Sequence, residues 1–116
     1  MELKFSSKLK LNNKTLLDHV FTHGKKMSTA RFAIFFCSNN LNFSRVGVII
    51  SRKNAKKAVD RNKFKRIVRE AFRINQHRFS SCDLVVLAYR EAGRLTKKEL
   101  RECLEKQWIK LPTFSK

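Results

Sequence analysis

Lys57, Arg61, Lys65, Arg69 and Arg73 recur at every fourth position, and Asn62 and Arg66 share their arc when the stretch is wound at about 100° per residue. The chemistry open to such a row is the gripping of a polyanion. On another arc stand Phe64, Ile67, Val68, Ala71 and Ile74, a face that seeks a core. The cations work against the helix that carries them. Like charges at i,i+4 cost about 0.2–0.5 kcal/mol per pair, and Lys56 and Lys57 meet a macrodipole that disfavours cations near a helix start by about 0.3–1 kcal/mol each. A bound polyanion offsets both penalties, and a phosphate at the helix N-terminus also uses its free N–H groups. A charge run is commonly just a solvated face. Here, however, residues 45–73 hold eleven Lys/Arg against Asp60 and Glu70, so net +9, half of the chain's +18, sits in a quarter of its 116 residues.

Other chemistries find little support. Self-contained catalysis needs a poised nucleophile, paired carboxylates or a metal cluster, whereas the nine acidic residues are scattered and the three glycines make no phosphate-cradling loop. His19 and His23 have metal-ligand spacing but no third ligand nearby, so they read as solvent-facing or capping side chains. Cys37, Cys82 and Cys103 are widely separated and odd in number, which fits reduced thiols packed as small hydrophobes in a cytoplasmic protein. The N-terminal residues leave no room for a signal-peptide apolar region, and no apolar run approaches a membrane span. With 42% hydrophobic residues and pI ≈ 10.6, the chain reads as one soluble domain over residues 1–116 whose expected partner is a nucleic acid, with an anionic membrane surface the weaker alternative.

The elements that must position these side chains follow from pattern. Residues 1–12 form a loosely assigned arm. Asn13 offers an N-cap, Leu16, Leu17, Val20 and Phe21 recur at helical spacing, and Gly24 stands at the helix end. A short edge strand is expected near Met27, strands over Arg31–Cys37 and Arg45–Ser51, and a turn between them. The basic helix is expected to begin near Asn54 or Ala55 and to run to about His77, with Ser80 and Ser81 beyond it. Asp83–Tyr89 reads as a central strand, followed by a break over Glu91–Arg94 that contains Gly93. Thr96 with Glu99 makes a capping box opening a last helix with Leu100, Leu104, Trp108 and Cys103 on its inner stripe; Pro112 stops it, leaving a short basic tail at 112–116. The order predicts an α+β fold, a small two-layer α/β sandwich with a sheet of about four strands. Phe21, Phe32, Phe35 and Phe36 come from the first helix and the neighbouring strand, and by period 2 Phe35 points to the sheet face opposite Phe36. One face is core, and if the other is a cleft, bases could stack there, although aromatic residues of a small protein more often belong to the core.

The string AVDRNKFKRIVREAFR, residues 58–73, resembles the RNR motif of the bacterial ribonuclease P protein component, matched by Arg61, Asn62, Lys65, Arg66, Arg69 and Glu70. HVFTHG resembles that family's first helix and turn, RVGVIISRKNAKKAV the strand entering the basic helix, and DLVVLAYREAG the last strand, so that the likeness runs from about Leu9 to Trp108. The resemblance implies a protein that joins a catalytic RNA in the holoenzyme that removes 5′ leaders from precursor tRNA. In that family the active site and its Mg²⁺ belong to the RNA, so no catalytic and no metal-binding residue is expected on this chain. It also implies a left-handed βαβ crossover around the basic helix, against the general rule.

Carried over by position, Arg52, Lys53, Arg61, Asn62, Lys65, Arg66 and Arg69 are the implied contacts to the catalytic RNA, joined by Lys56, Lys57 and Arg73 as cations of the same stretch. Leu17, Phe21, Phe32 and Phe35 are the implied lining of a cleft for the single-stranded leader. At Leu17 several family members carry an aromatic residue, which implies apolar contact there instead of stacking. Lys8 and Lys10 of the arm are additional candidates. The partners implied are the ribonuclease P RNA and the precursor tRNA leader, with no membrane, and the free protein is expected to be a monomer. A general RNA-binding protein of ribosomal or chaperone type fits the composition equally well.

Overall fold

The computed structural model of the chain describes residues 10–11, 13–53, 55–89, 92, 95–111 and 114. Along the chain come α1 (Lys14–His23), β1 (Lys25–Ser28), β2 (Phe32–Ser38), β3 (Arg45–Ile49), α2 (Ala58–Asn75) with a 3₁₀ turn at Gln76–Arg78, β4 (Cys82–Ala88) and α3 (Lys97–Trp108). The strands form one four-stranded sheet in the order β1-β2-β4-β3. The two most apolar runs, β2 and β4, are thus central and pair antiparallel, while β3 and β4 pair parallel and are joined through α2 as a βαβ unit.

Side-chain alternation divides the interior in two. Phe32, Ile34 and Phe36 of β2 and Leu84 and Val86 of β4 meet Phe64, Ile67, Val68 and Phe72 of α2 and Leu100, Leu104 and Trp108 of α3. Val85, with Phe35 and Ile49, meets Leu11, Leu16, Leu17, Val20 and Phe21 on the other face. The sandwich therefore has α2 and α3 on one face of the sheet and α1 on the other. The α2 stripe that stabilises this arrangement buries Phe64, Ile67, Val68 and Phe72 at about 1.5–3 kcal/mol each, with Ala71 among them, which outweighs the like-charge cost on its outer face.

Local signals explain several boundaries. The Asn13 side chain accepts from the Thr15 N–H at 2.8 Å, and Thr96 and Glu99 make both bonds of the capping box, at 2.9 and 3.1 Å. Gly24 does end α1, but its φ of −83° is not left-handed. Its requirement is space, since a Cβ there would stand 2.8 Å from the Phe36 carbonyl oxygen and closer still to that of Val20. Gly47 serves similarly in β3, where a Cβ would meet the Leu11 carbonyl at 2.6 Å and Leu17 Cδ2 at 2.9 Å; its absence lets the arm and α1 lie directly on the strand.

Other boundaries differ from expectation. The basic helix starts at Ala58, not at Asn54 or Ala55, because Ala55 is buried in the main core with its N–H bonded to the Ser51 carbonyl at 3.1 Å. The chain thus turns inward before the helix begins. At the far end α2 stops at Asn75, and His77 lies in the 3₁₀ turn. Residues 1–9 of the arm, most of the 91–94 break including Gly93, and Pro112 with most of the tail lie outside the described residues. Of the arm, Lys10 makes a parallel bridge to Val46 and Leu11 is buried; of the tail, Phe114 packs edge-on against Phe79 at 4.8 Å. Among the described residues no helix is long and apolar enough to cross a membrane.

Candidate nucleic-acid interface

The register of α2 sets the interface. Because Phe64, Ile67, Val68, Ala71 and Phe72 are held inward, positions 62 and 66 are turned to solvent and 61, 65, 69 and 73 flank them, half-buried. Phe72, not foreseen on the apolar arc, extends that stripe and stacks on Phe79 at 5.3 Å. Arg52, Lys53, Lys56 and Lys57 are exposed in the segment leading into the helix, and Lys57 is its N-cap, with no side-chain bond to the cap. Among the described residues no carboxylate is ion-paired with Arg52, Lys53, Lys56, Lys57, Arg61, Lys65, Arg66 or Arg69. The one acid of this face, Glu70, has Lys97 Nζ of α3 at 3.8 Å. The cationic charge is therefore left for an external partner.

Lys10, Asn62, Lys65, Arg66, Arg69, Glu70 and Arg73 line an open cavity of about 460 Å³. Lys10 reaches it because the arm is fastened to β3, with the Leu11 N–H donating to the Val46 carbonyl at 2.8 Å. The Nε of Arg69 is buried and finds no hydrogen-bond partner among the described residues. Seven side chains with mainly donor character around one concavity form a site for phosphates, which are bound by Lys/Arg charge and side-chain N–H groups. Lys10 was only loosely indicated by the sequence, and Lys8 lies outside the described residues.

Two cations of the same stretch are committed internally. Arg45 donates from Nε and Nη2 to the buried Asp83 carboxylate at 2.9 and 2.7 Å, and that bonding raises the arginine's pKa above its ordinary value. Asn39 Nδ2 donates to the same carboxylate at 2.8 Å. Arg61 turns back along the chain and donates from Nη1 to the carbonyls of Ala55 at 2.8 Å and Lys56 at 2.9 Å.

The second surface lies on the α1 face. Phe21 and Phe35 meet edge to face with centroids 4.8 Å apart, Leu17 lies beside them against β3, and all three are half-buried. Phe32 does not join them: it is completely buried in the main core, because positions 32 and 36 share a parity that 35 does not. Two neighbours not foreseen complete this surface. Lys26, opposite Phe35 in the β1–β2 register, places Nζ 5.6 Å from the centre of the Phe35 ring. Tyr89 Oη lies 3.3 Å from Ser28 Oγ, a bond that, with Lys26 nearby, lowers the phenol's pKa from its ordinary value. A pattern of apolar and basic groups side by side suits unstacked bases with their phosphates. His19 and His23 remain exposed, ring against ring at 4.6 Å, and among the described residues no group of side chains is arranged to hold a metal ion.

Comparison with known proteins accords with this geometry. The family model described as Ribonuclease P matches residues 5–112. The ribonuclease P protein component of Nitrosococcus oceani is 42% identical over 92 residues, covering 79% of this chain and 77% of that protein. That of Pasteurella multocida is 36% identical over 108 residues, covering 93% and 91%. Among solved structures, the RNase P protein of Staphylococcus aureus superposes with a TM-score of 0.86 at 24% identity, covering 92% of this chain and 98% of that one. The RNase P protein of Thermotoga maritima gives a TM-score of 0.75 at 33% identity, covering 87% and 96%. A basic helix outward on one side of a four-stranded sheet, relatives alike over most of their length and a family match across nearly all of the sequence lead to one assignment: the chain belongs to the ribonuclease P protein family.

Proposed function

We propose that this chain is the RNA-holding subunit of a cytoplasmic ribonuclease P ribonucleoprotein that removes 5′ leaders from precursor tRNA. The observation that carries this reading is the outward set Asn62, Lys65, Arg66 and Arg69 on α2, whose three cations are unpaired with carboxylates among the described residues and which is backed by a buried apolar stripe. That face grips the catalytic RNA through Arg52, Lys53, Lys56, Lys57, Asn62, Lys65, Arg66, Arg69 and Arg73. The α1 face, with Leu17, Phe21, Phe35 and Lys26, takes the leader. Lysine and arginine are not Mg²⁺ ligands, so the ion, whose part is to stabilise charge in phosphodiester hydrolysis, belongs to oxygens of the RNA. The protein raises substrate affinity and lowers the Mg²⁺ requirement by screening phosphate repulsion.

The test is reconstitution with a bacterial ribonuclease P RNA and measurement of leader cleavage at low Mg²⁺. Stimulation is expected, together with tighter binding of precursor than of mature tRNA. No stimulation would reject the assignment, and equal binding of the two tRNAs would point to a general RNA-binding protein. Phe21→Leu should weaken binding of substrates with long leaders and spare those with very short ones.

A further inference from the structure

Arg61 stands in the motif of the basic face, and a cation in that position is naturally read as one more phosphate ligand. Its contacts point elsewhere. The Nη1 group donates to two successive carbonyls, those of Ala55 and Lys56, at 2.8 and 2.9 Å, and the side chain is half-buried while Asn62 and Arg66 are exposed. The carbonyls it holds lie in the segment that carries Arg52, Lys53, Lys56 and Lys57, all of them exposed. Other backbone fastenings among the described residues include the Asp60 and Arg61 N–H groups, which donate to the Lys57 carbonyl at 3.1 and 3.2 Å. Lys57, the N-cap, makes no side-chain cap bond, and the turn is held by the Ala55 N–H to the Ser51 carbonyl at 3.1 Å and by burial of the small Ala55 side chain. Four cations so close in sequence repel one another, and nothing in their own side-chain chemistry would keep them on one side.

We propose that Arg61 is a positioning residue: by binding the carbonyls of Ala55 and Lys56 it shapes the entry to α2 so that Arg52, Lys53 and Lys56 are presented together to RNA. A guanidinium suits this task because the two N–H bonds of Nη1 are fixed in its plane, one to each carbonyl, and stand one bond further from the backbone than a lysine Nζ, whose ammonium is a rotating point charge. The conservative exchange Arg61→Lys therefore keeps the charge and removes the brace. This inference rests on the RNA-binding reading for its consequence, but the brace itself is testable without RNA.

The experiment compares the full chain with Arg61→Lys, with Arg61→Gln as a second variant should the first fail to fold. Amide hydrogen exchange is measured on the free proteins. Exchange at the Ala55 amide, bonded to the Ser51 carbonyl, and at the Asp60 amide, bonded to that of Lys57, is expected to quicken by about tenfold or more with the sheet amides unchanged, since local opening is set by local contacts. Unchanged exchange in a folded variant would overturn the proposal. Binding to a bacterial ribonuclease P RNA is then followed against salt. Arg61→Lys is expected to flatten the log–log slope by about 1.4–2.7, equivalent to two or three lost phosphate contacts, although the charge is retained. In a background of Arg52→Ala, Lys53→Ala and Lys56→Ala it should bring no further loss. A direct ligand would instead give little change with lysine and, with Arg61→Gln, a full additional loss in the triple background, and so overturn the idea. If wild-type protein binds the RNA no better than other RNAs while exchange still quickens, the proposed function fails and the brace stands.

Discussion

Arg45 carries its charge into a buried carboxylate, whereas Arg66 carries its charge into solvent. Arg45→Met should leave Asp83 with the Asn39 amide as its remaining described partner and cost about 2–4 kcal/mol of stability, read from urea denaturation, with little change in RNA affinity. Arg66→Ala should do the reverse, weakening association with the catalytic RNA while stability stays within about 0.5 kcal/mol. A large loss of stability in the second variant would make Arg66 structural. The difference between these two arginines is invisible along the chain, because Asp83 lies 38 positions from Arg45 and becomes its neighbour only through the β3–β4 register. Phe32 carries the same lesson in another form. The family resemblance implied a place for it in the cleft, yet strand parity sends it to the face of Phe36 and into the core. Arg66 and Asn62 were legible because helical period and burial on one side decide where they point.

At the scale of elements, local signals were read well and non-local ones were not. The α3 start could be placed from Thr96 and Glu99 because both partners of the capping box lie within one turn. The α2 start could not, because it depends on Ala55 entering the core and on Arg61 reaching back, neither of which a propensity expresses. The capping box also sets a pH dependence. Bonds from Thr96 hold the Glu99 carboxyl below its ordinary value of 4.5, so its contribution is present above that value and is lost as pH falls through the lower folded-state pKa. Glu99→Gln should therefore be less stable than wild type near neutral pH, and the gap between their unfolding midpoints should close as the solution is acidified. A gap that stays constant would show that ionisation of Glu99 is not involved.

Across the whole molecule, charge and architecture are joined but separable. The +18 net charge draws any polyanion, yet only the groups that displace counterions at contact enter the salt dependence. If about five cations do so, the logarithm of affinity should fall against that of salt with a slope of about −3.5 to −4.5. A slope near zero would remove phosphate gripping as the source of affinity. The fold class, the order of elements and the outward face of the long helix were all legible from pattern. What escaped was the division of the interior between two faces of the sheet and the arrival of Lys10 at the basic cavity, both products of chain path. The position of the lone tryptophan has a practical consequence. Trp108, the last residue of α3, is wholly enclosed, edge-on to Phe79 at 5.2 Å. Its emission should be blue-shifted when folded, red-shifted on denaturation and unmoved by ligand on either outer surface, giving one cuvette an optical gauge of folding that runs independently of any labelled-RNA signal.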